Sequence, residues 1–321
     1  MKHEPHVRNR PRLGPVWRRL SLAGVLLASV IESHAVADTW DNSSGDALWS
    51  TAANWADNSE PASTTEPVTF PNPGGFYNAN ISLSAGEVCG SLTFDAIYNL
   101  GSGTLNVGAA GGPISVRSFV TATINSVLNG NQGLTKNGAG TLTLGGVNTF
   151  TGDVAINAGT MSVNADSRLG SGGNNVVINA GTLQATASLS TSRSFTVNSG
   201  GSAMTVAGNL ALLDDGALNI LAGGKVEDAI GIVGSNAGST GVVTVNGANS
   251  KWVNSNQLQV GAKGQGTLRI EAGGSVSTFS GTIALSLGSN GSSVTVTGAG
   301  STLTCSDDLL VGQLGGELRI E

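Results

Sequence analysis

The phrase VVTVNGANSKWV at residues 242–253 returns as SVTVTGAGSTLT at 293–304, a shift of 51 residues. LQVGAKGQGTLRI at 258–270 likewise returns as LLVGQLGGELRI at 309–320. A chain that repeats at such a period is built from units stacked on, or arrayed around, one another, because no single unit can bury its own apolar face. Between the VG pair and the LxI run the insert changes length from copy to copy. A loop outside a core tolerates that variation and a packed strand does not.

Short runs recur at finer spacing: GSLTF, GTLNVG, GTLTLGG, GDVAINAGTMSV, NVVINAGTLQA and SFTVNSG. Apolar residues at every second place put one side of each run inward, the pattern of a half-buried strand. Gly, Asn-Gly or Ala-Gly follows almost every run and supplies the positive-φ residues that sharp corners need. Asn129-Gly130, Asn137-Gly138, Asn246-Gly247 and Asn290-Gly291 are four such corners. No stretch beyond the first 37 residues predicts a helix of more than two turns.

A period near 50 is also that of a four-stranded propeller blade. Strands of only three to five residues, scarce aromatics and the sub-repeat spacing favour a solenoid, in which coils of roughly 20–25 residues make each long repeat two coils. The expected fold is all-β: a right-handed parallel β-helix with an N-terminal Trp-containing cap, a partly antiparallel β-solenoid being the second choice. Composition fits. Gly totals 48, charged residues are 11% and Pro only 8, which suits tight stacked coils and argues against disorder. Stacked strands also place equivalent positions about 4.8 Å apart, where ladders of like charge repel.

The first 37 residues read differently. Arg8, Arg10, Arg12, Arg18 and Arg19 precede an apolar run at 20–31, and Ala35 and Ala37 precede Asp38. This is the order of a secretory signal peptide with cleavage near Ala37. The run is shorter than the ~20 residues that span a bilayer, so an uncleaved anchor is the weaker reading. Arg18-Arg19 matches a twin-arginine signal poorly. Cleavage leaves nine Lys+Arg against nineteen Asp+Glu, a formal charge of −10. Such a surface disfavours nucleic acid and acidic lipid. No later stretch is long and apolar enough to span a bilayer as a helix. His3, His6 and His34 all lie in the leader, which removes His-based triads and His-ligated metal from residues 38–321.

Residues 38–80 form an expected cap segment carrying Trp40, Trp49 and Trp55. Two readings stand. The indoles plug the first exposed coil, since stacked repeats need a cap, or they present a stacking surface for glycan. The coils are expected to run over 81–209 and, with the ~50-residue repeats, over 210–321.

At 133–170 the sequence reads GLTKNGAGTLTLGGVNTFTGDVAINAGTMSVNADSRLG. Leu134-Thr135-Lys136, then Gly138-Ala139-Gly140-Thr141-Leu142-Thr143-Leu144, Asn148-Thr149-Phe150-Thr151-Gly152 and Gly159-Thr160, closely resemble the autotransporter-associated β-strand repeat. The stretch from about 210 onward resembles a longer repeat of type V secretion passengers and PEP-CTERM-type surface proteins. The opening WDNSSGDALWSTAANW is similar to the mature start of large exported proteins of this kind. The resemblance implies a secreted or cell-surface β-helical passenger with a structural or adhesive role, and it carries no catalytic residues. It also implies a terminal barrel or sorting tail that these residues lack, and the repeat phrase stops in mid-copy at Glu321. The expectation is a fragment or shortened reading frame, or else self-association through an open solenoid end.

β-Helices also include polysaccharide lyases and glycosidases, which need clustered acids. The candidates are Asp214-Asp215, Asp307-Asp308, Asp153 and Glu227-Asp228. Asp214-Asp215-Gly216 reads first as a corner, and no catalytic, cofactor-binding or metal residue is assigned. No run matches the nine-residue calcium phrase of β-rolls. The expected partners are glycans or neighbouring surface molecules. Cys89 and Cys305 lie roughly ten coils apart, too far for a disulfide. Phase places Cys305 inward with Leu303 and Cys89 opposite to Val88, predicting a buried thiol at the first and an exposed one at the second.

Overall fold

A computed structural model describes Met1 and residues 37–321, apart from 76, 313 and 314. The expected leader and its cleavage site therefore lie outside the described residues, but for Met1 and Ala37. Residues 37–321 belong to one compact unit.

That unit is a β-solenoid. One row of thirteen strands runs from Asp38–Thr39 and Pro67–Phe70 to Glu317–Ile320, and a second of fourteen from Asn78–Ser82 to Thr302–Cys305. The coils stack about eleven turns. A third face begins with Glu87–Cys89, Thr104–Val107 and Val127–Asn129. Every ladder between these strands is parallel, and the only antiparallel pairing among the described residues is an isolated bridge between Trp40 and Trp55. The antiparallel alternative is thereby excluded.

The long repeat resolves into two coils. Val243 pairs with Leu268, and Leu268 with Val294, so the 51-residue shift joins positions two coils apart in one inward column. Alternation sets the core. In the strand Thr141–Leu144, Leu142 and Leu144 are buried while Thr141 and Thr143 face outward. One inward column runs Leu92–Ile114 and, past position 136, Ile156–Ile178–Val197–Ile220–Val245–Ile270–Val296. The Asn-Gly corners form as expected, with positive φ at Gly130, Gly138, Gly247 and Gly291. At Gly138 a side chain is excluded twice over, by φ of 72° and by a carbonyl oxygen of Val116 that a Cβ would meet at 2.3 Å.

Strand length departs from expectation after residue 224. Lys225–Val233, Lys251–Val260 and Ser275–Ile283 have nine, ten and nine residues rather than three to five. The reason lies at their corners. Where earlier coils break for a turn, these bend at bulges between Asp228 and Ile230 and between Asn254 and Gln257 and keep pairing across the second and third faces.

Both cysteine expectations are corrected. Cys89 is buried, and burial pushes its thiol well above the ordinary value. It shares a strand with Val88, which turns outward instead. Cys305 has the expected phase with Leu303, but it lies in the last strand of its row and is only half covered. Both thiols are free.

Candidate functional site

The three N-terminal tryptophans are at most 1% exposed. Trp55 stands edge-on to Trp40 and Trp49, with ring centroids 5.1 and 4.8 Å away, and donates from Nε1 to the Trp49 carbonyl at 2.8 Å. Phe70 of the first coil packs beneath all three and stacks on Phe94 of the next at 4.9 Å. The glycan-contact reading of Trp40, Trp49 and Trp55 is therefore corrected. Their faces are spent on roofing the first coil, and no indole face is left open for a sugar.

The candidate acids do not converge. Asp214 and Asp215 are exposed in a turn closed by a 2.8 Å bond from Gly216 N to Leu213 O, and Asp215 holds the Thr240 hydroxyl. Asp153 accepts from the Asn175 amide at 2.9 Å. Glu227 pairs with Lys225 at 2.6 Å across half-exposed side chains. Asp307 and Asp308 are exposed between strands of the last coil. Among the described residues, no three His, Cys, Asp or Glu side chains group as a metal site.

Besides Asp38 in the first strand, three charged or acidic groups sit inside the coils instead. Lys136 occupies the aliphatic column between Ile114 and Ile156, fully buried, and its Nζ donates to the carbonyls of Asn137, Gly138 and Ala158 at 2.8, 2.7 and 3.2 Å. Desolvation lowers its pKa to about 8. Arg193 binds Asp166 Oδ1 at 2.9 Å through Nε, and its other nitrogens donate to the carbonyls of Ser171, Asn174, Asp166 and Gly170. It ties down the 166–174 loop. Asp228 accepts from Trp252 Nε1 inside the bulged corner, where desolvation raises its pKa to about 7. These roles were legible only in part. Strict alternation places Lys136 on the face of Leu134, but no spacing in the sequence points Arg193 at Asp166.

The outside of the stack is a ruled polar surface. Thr121, Thr141, Thr160 and Thr182 form one outward column. Beside the other row, Asn198, Asn179, Asn157 and Asn137 pass side-chain hydrogen bonds from coil to coil at 2.8, 2.8 and 3.0 Å. The recurring IN and VN of AINAG, VINAG and TVNSG are the sequence signal for that ladder.

One corner opens into a cleft of about 380 Å³, lined from three consecutive coils by Asn72, Tyr77, Asp95, Ile97, Arg117 and Phe119. Arg117 to Val120 is a turn closed by a 3.1 Å backbone bond. Within it Phe119 has φ of +63° and is fully exposed. A bulky residue in that region costs about 1–2 kcal/mol, and glycine is the usual occupant.

Comparison with known proteins follows the same line. Residues 134–163 match the family model of the passenger-associated-transport-repeat. Those residues are a repeat of the kind carried by autotransporter passengers. The chain is 31% identical over 321 residues to the adhesin BmaC autotransporter of Brucella suis biovar 1 (strain 1330), a match covering 94% of this chain. The chain spans 9% of that relative's length. No solved structure matches it significantly. The passenger repeat coincides with the coils that Lys136 and the Asn ladder organise, and its signature residues take corner, column and ladder positions.

Proposed function

We propose that this chain is a segment of an exported adhesive passenger, a rigid solenoid that displays a surface at or beyond the cell envelope and performs no turnover. The observation that carries the reading is the uninterrupted parallel stack, whose outward columns repeat hydroxyl and amide groups while its acids stay apart. Repeated weak contacts along such a surface add through avidity rather than through one deep pocket. The relative's name, an adhesin autotransporter, supports the same reading. Export by a leader ending near Ala37 belongs to it, as do glycans or neighbouring surface molecules as partners and edge-to-edge self-association through Glu317–Ile320.

The test is adhesion of beads coated with the chain to intact cells, run beside a screen for sugar release from acidic and neutral polysaccharides. Retention of the beads without sugar release is expected. Sustained release, lost on replacing Asp214 and Asp215 by Asn, overturns the proposal in favour of a carbohydrate-active enzyme.

A further inference from the structure

We propose that the corner cleft between Asn72, Tyr77, Asp95, Arg117 and Phe119 is a subsite for a neutral saccharide. The inference rests on the adhesive reading above and gives it a ligand class and a location.

The cleft lies at a corner whose length changes from coil to coil. Its walls are Asn72, Gly75 and Tyr77 from the corner after Pro67–Phe70, residues 95–97 after Ser91–Phe94, and residues 117–120 after Pro113–Val116. On the next coil the same corner is the tight 138–140 turn. Gly140 N bonds to Val116 O there at 3.0 Å, and a Cβ on Gly140 would meet the carbonyls of Arg117 and Val120 at 2.1 and 2.6 Å. On the second coil the corner is shorter still, Asp95–Ala96, and on the third it is the 117–120 turn that carries Phe119.

Phe119 is the decisive residue. Its ring is fully exposed among the described residues, so it contributes nothing to the core, and it stands on left-handed backbone that disfavours it. A residue that is unfavourable both in conformation and in solvation gains its return only when something covers the ring. An aromatic face is matched by the apolar C–H face of a sugar ring. Tyr77 also lines the cleft, half-buried and braced against Tyr98 at 5.3 Å.

The polar groups select the ligand. Phe94 and Val116 are in register, so Asp95 and Arg117, the residues that follow them, occupy one column on adjacent coils, about 4.8 Å apart along the backbone. Among the described residues neither side chain has a hydrogen-bond or ion-pair partner. A carboxylate acceptor beside a guanidinium donor fits two neighbouring hydroxyls, one donating and one accepting. An anionic sugar would meet the Asp95 carboxylate and a formal charge of −10 over 38–321. A neutral one is repelled by neither.

The experiment uses the full chain, with saturation-transfer NMR and calorimetry against cellotetraose, maltotetraose and a β-galactoside oligosaccharide, and against oligogalacturonate as the acidic arm. Binding is expected for at least one neutral probe. Phe119→Gly suits the backbone at that position, so it folds at least as well as the parent, and it should weaken the affinity roughly tenfold or more. Asp95→Asn and Arg117→Gln should each weaken it several-fold. Neutral binding unchanged in Phe119→Gly overturns the inference, as does binding confined to oligogalacturonate. Cell adhesion that persists with no saccharide bound overturns the inference and leaves the adhesive reading standing, and adhesion lost in Phe119→Gly without saccharide binding identifies a protein contact instead. Absence of both adhesion and saccharide binding overturns both.

Discussion

The indole Nε1 of Trp252 donates a 2.7 Å hydrogen bond to Asp228 Oδ2, reaching from one coil to the one before it. The other carboxylate oxygen has no partner among the described residues, and neither has the side-chain amide of Asn254, the residue in register with Asp228 on the next coil. Burial favours the neutral, protonated form of Asp228.

The first prediction follows from this pair. The folded-state pKa of Asp228 is raised to about 7, whereas an unfolded Asp titrates near 3.9. Between those values the folded chain holds a proton that the unfolded chain has released. Stability therefore falls as pH rises across that window, by up to about 1.4 kcal/mol per pH unit, and levels off above it. Asp228→Asn removes this dependence. Urea midpoints at pH 5 and pH 8 should show the variant gaining on the parent as pH rises. Parallel behaviour of the two proteins would mean that the carboxylate is ionised throughout.

Lys136 yields a second prediction. Replacing it by Met keeps the column between Ile114 and Ile156 apolar but leaves the carbonyls of Asn137, Gly138 and Ala158 without their donor. A net loss of about 1–3 kcal/mol is expected near neutral pH. The lowered pKa adds a sign: the folded chain sheds the proton above about 8, while the unfolded chain keeps it to near 10.4. Parent stability should therefore gain from Lys136 as pH rises through that range, and Lys136→Met should lack the gain. Denaturant titration at pH 7 and pH 9.5 reads both effects.

Arg193 is expected to govern one loop rather than the whole stack. Arg193→Met removes the ion pair to Asp166 and the donors to four carbonyls. A cost of about 2–4 kcal/mol should follow. Amide hydrogen exchange should rise first at 166–174, whereas uniform deprotection would show that the guanidinium supports the stack as a unit.

The tryptophan roof separates structure from binding. Trp55→Ala should cost about 3–5 kcal/mol, because its ring contacts Trp40, Trp49 and Phe70 in one buried cluster. Affinity for any saccharide bound at the Phe119 corner should be unchanged in the folded variant. A saccharide that shifts tryptophan emission in the parent and not in Trp55→Ala would reopen the indoles as a contact surface.

Much of the fold was readable before any coordinates. The phase of TLTL placed Leu142 and Leu144 inward, and the Asn-Gly pairs marked corners that the backbone takes with positive φ at glycine. Asp214-Asp215-Gly216 read as a turn and is one. Cys305 had the right face, but phase cannot say whether a further coil covers it. Cys89 was misjudged because Val88, more apolar, was assumed to define the inward side. The Phe119 corner was invisible. Nothing in RSFV distinguishes a core Phe from one held outward on left-handed backbone.

Local order along the chain thus determined the coil, its inside and outside, and the two-coil span of the long repeat, because alternation and glycine placement act within a few residues. Tertiary structure alone decided which residues meet: Trp252 with Asp228, Arg193 with Asp166, Asp95 beside Arg117. Each residue's neighbour in the stack lies one coil away, and that distance varies from 18 residues between Glu87 and Leu105 to 30 between Asp38 and Val68. Corner inserts set the variation, so contacts across coils depend on how every corner closes, and only the assembled stack fixes that.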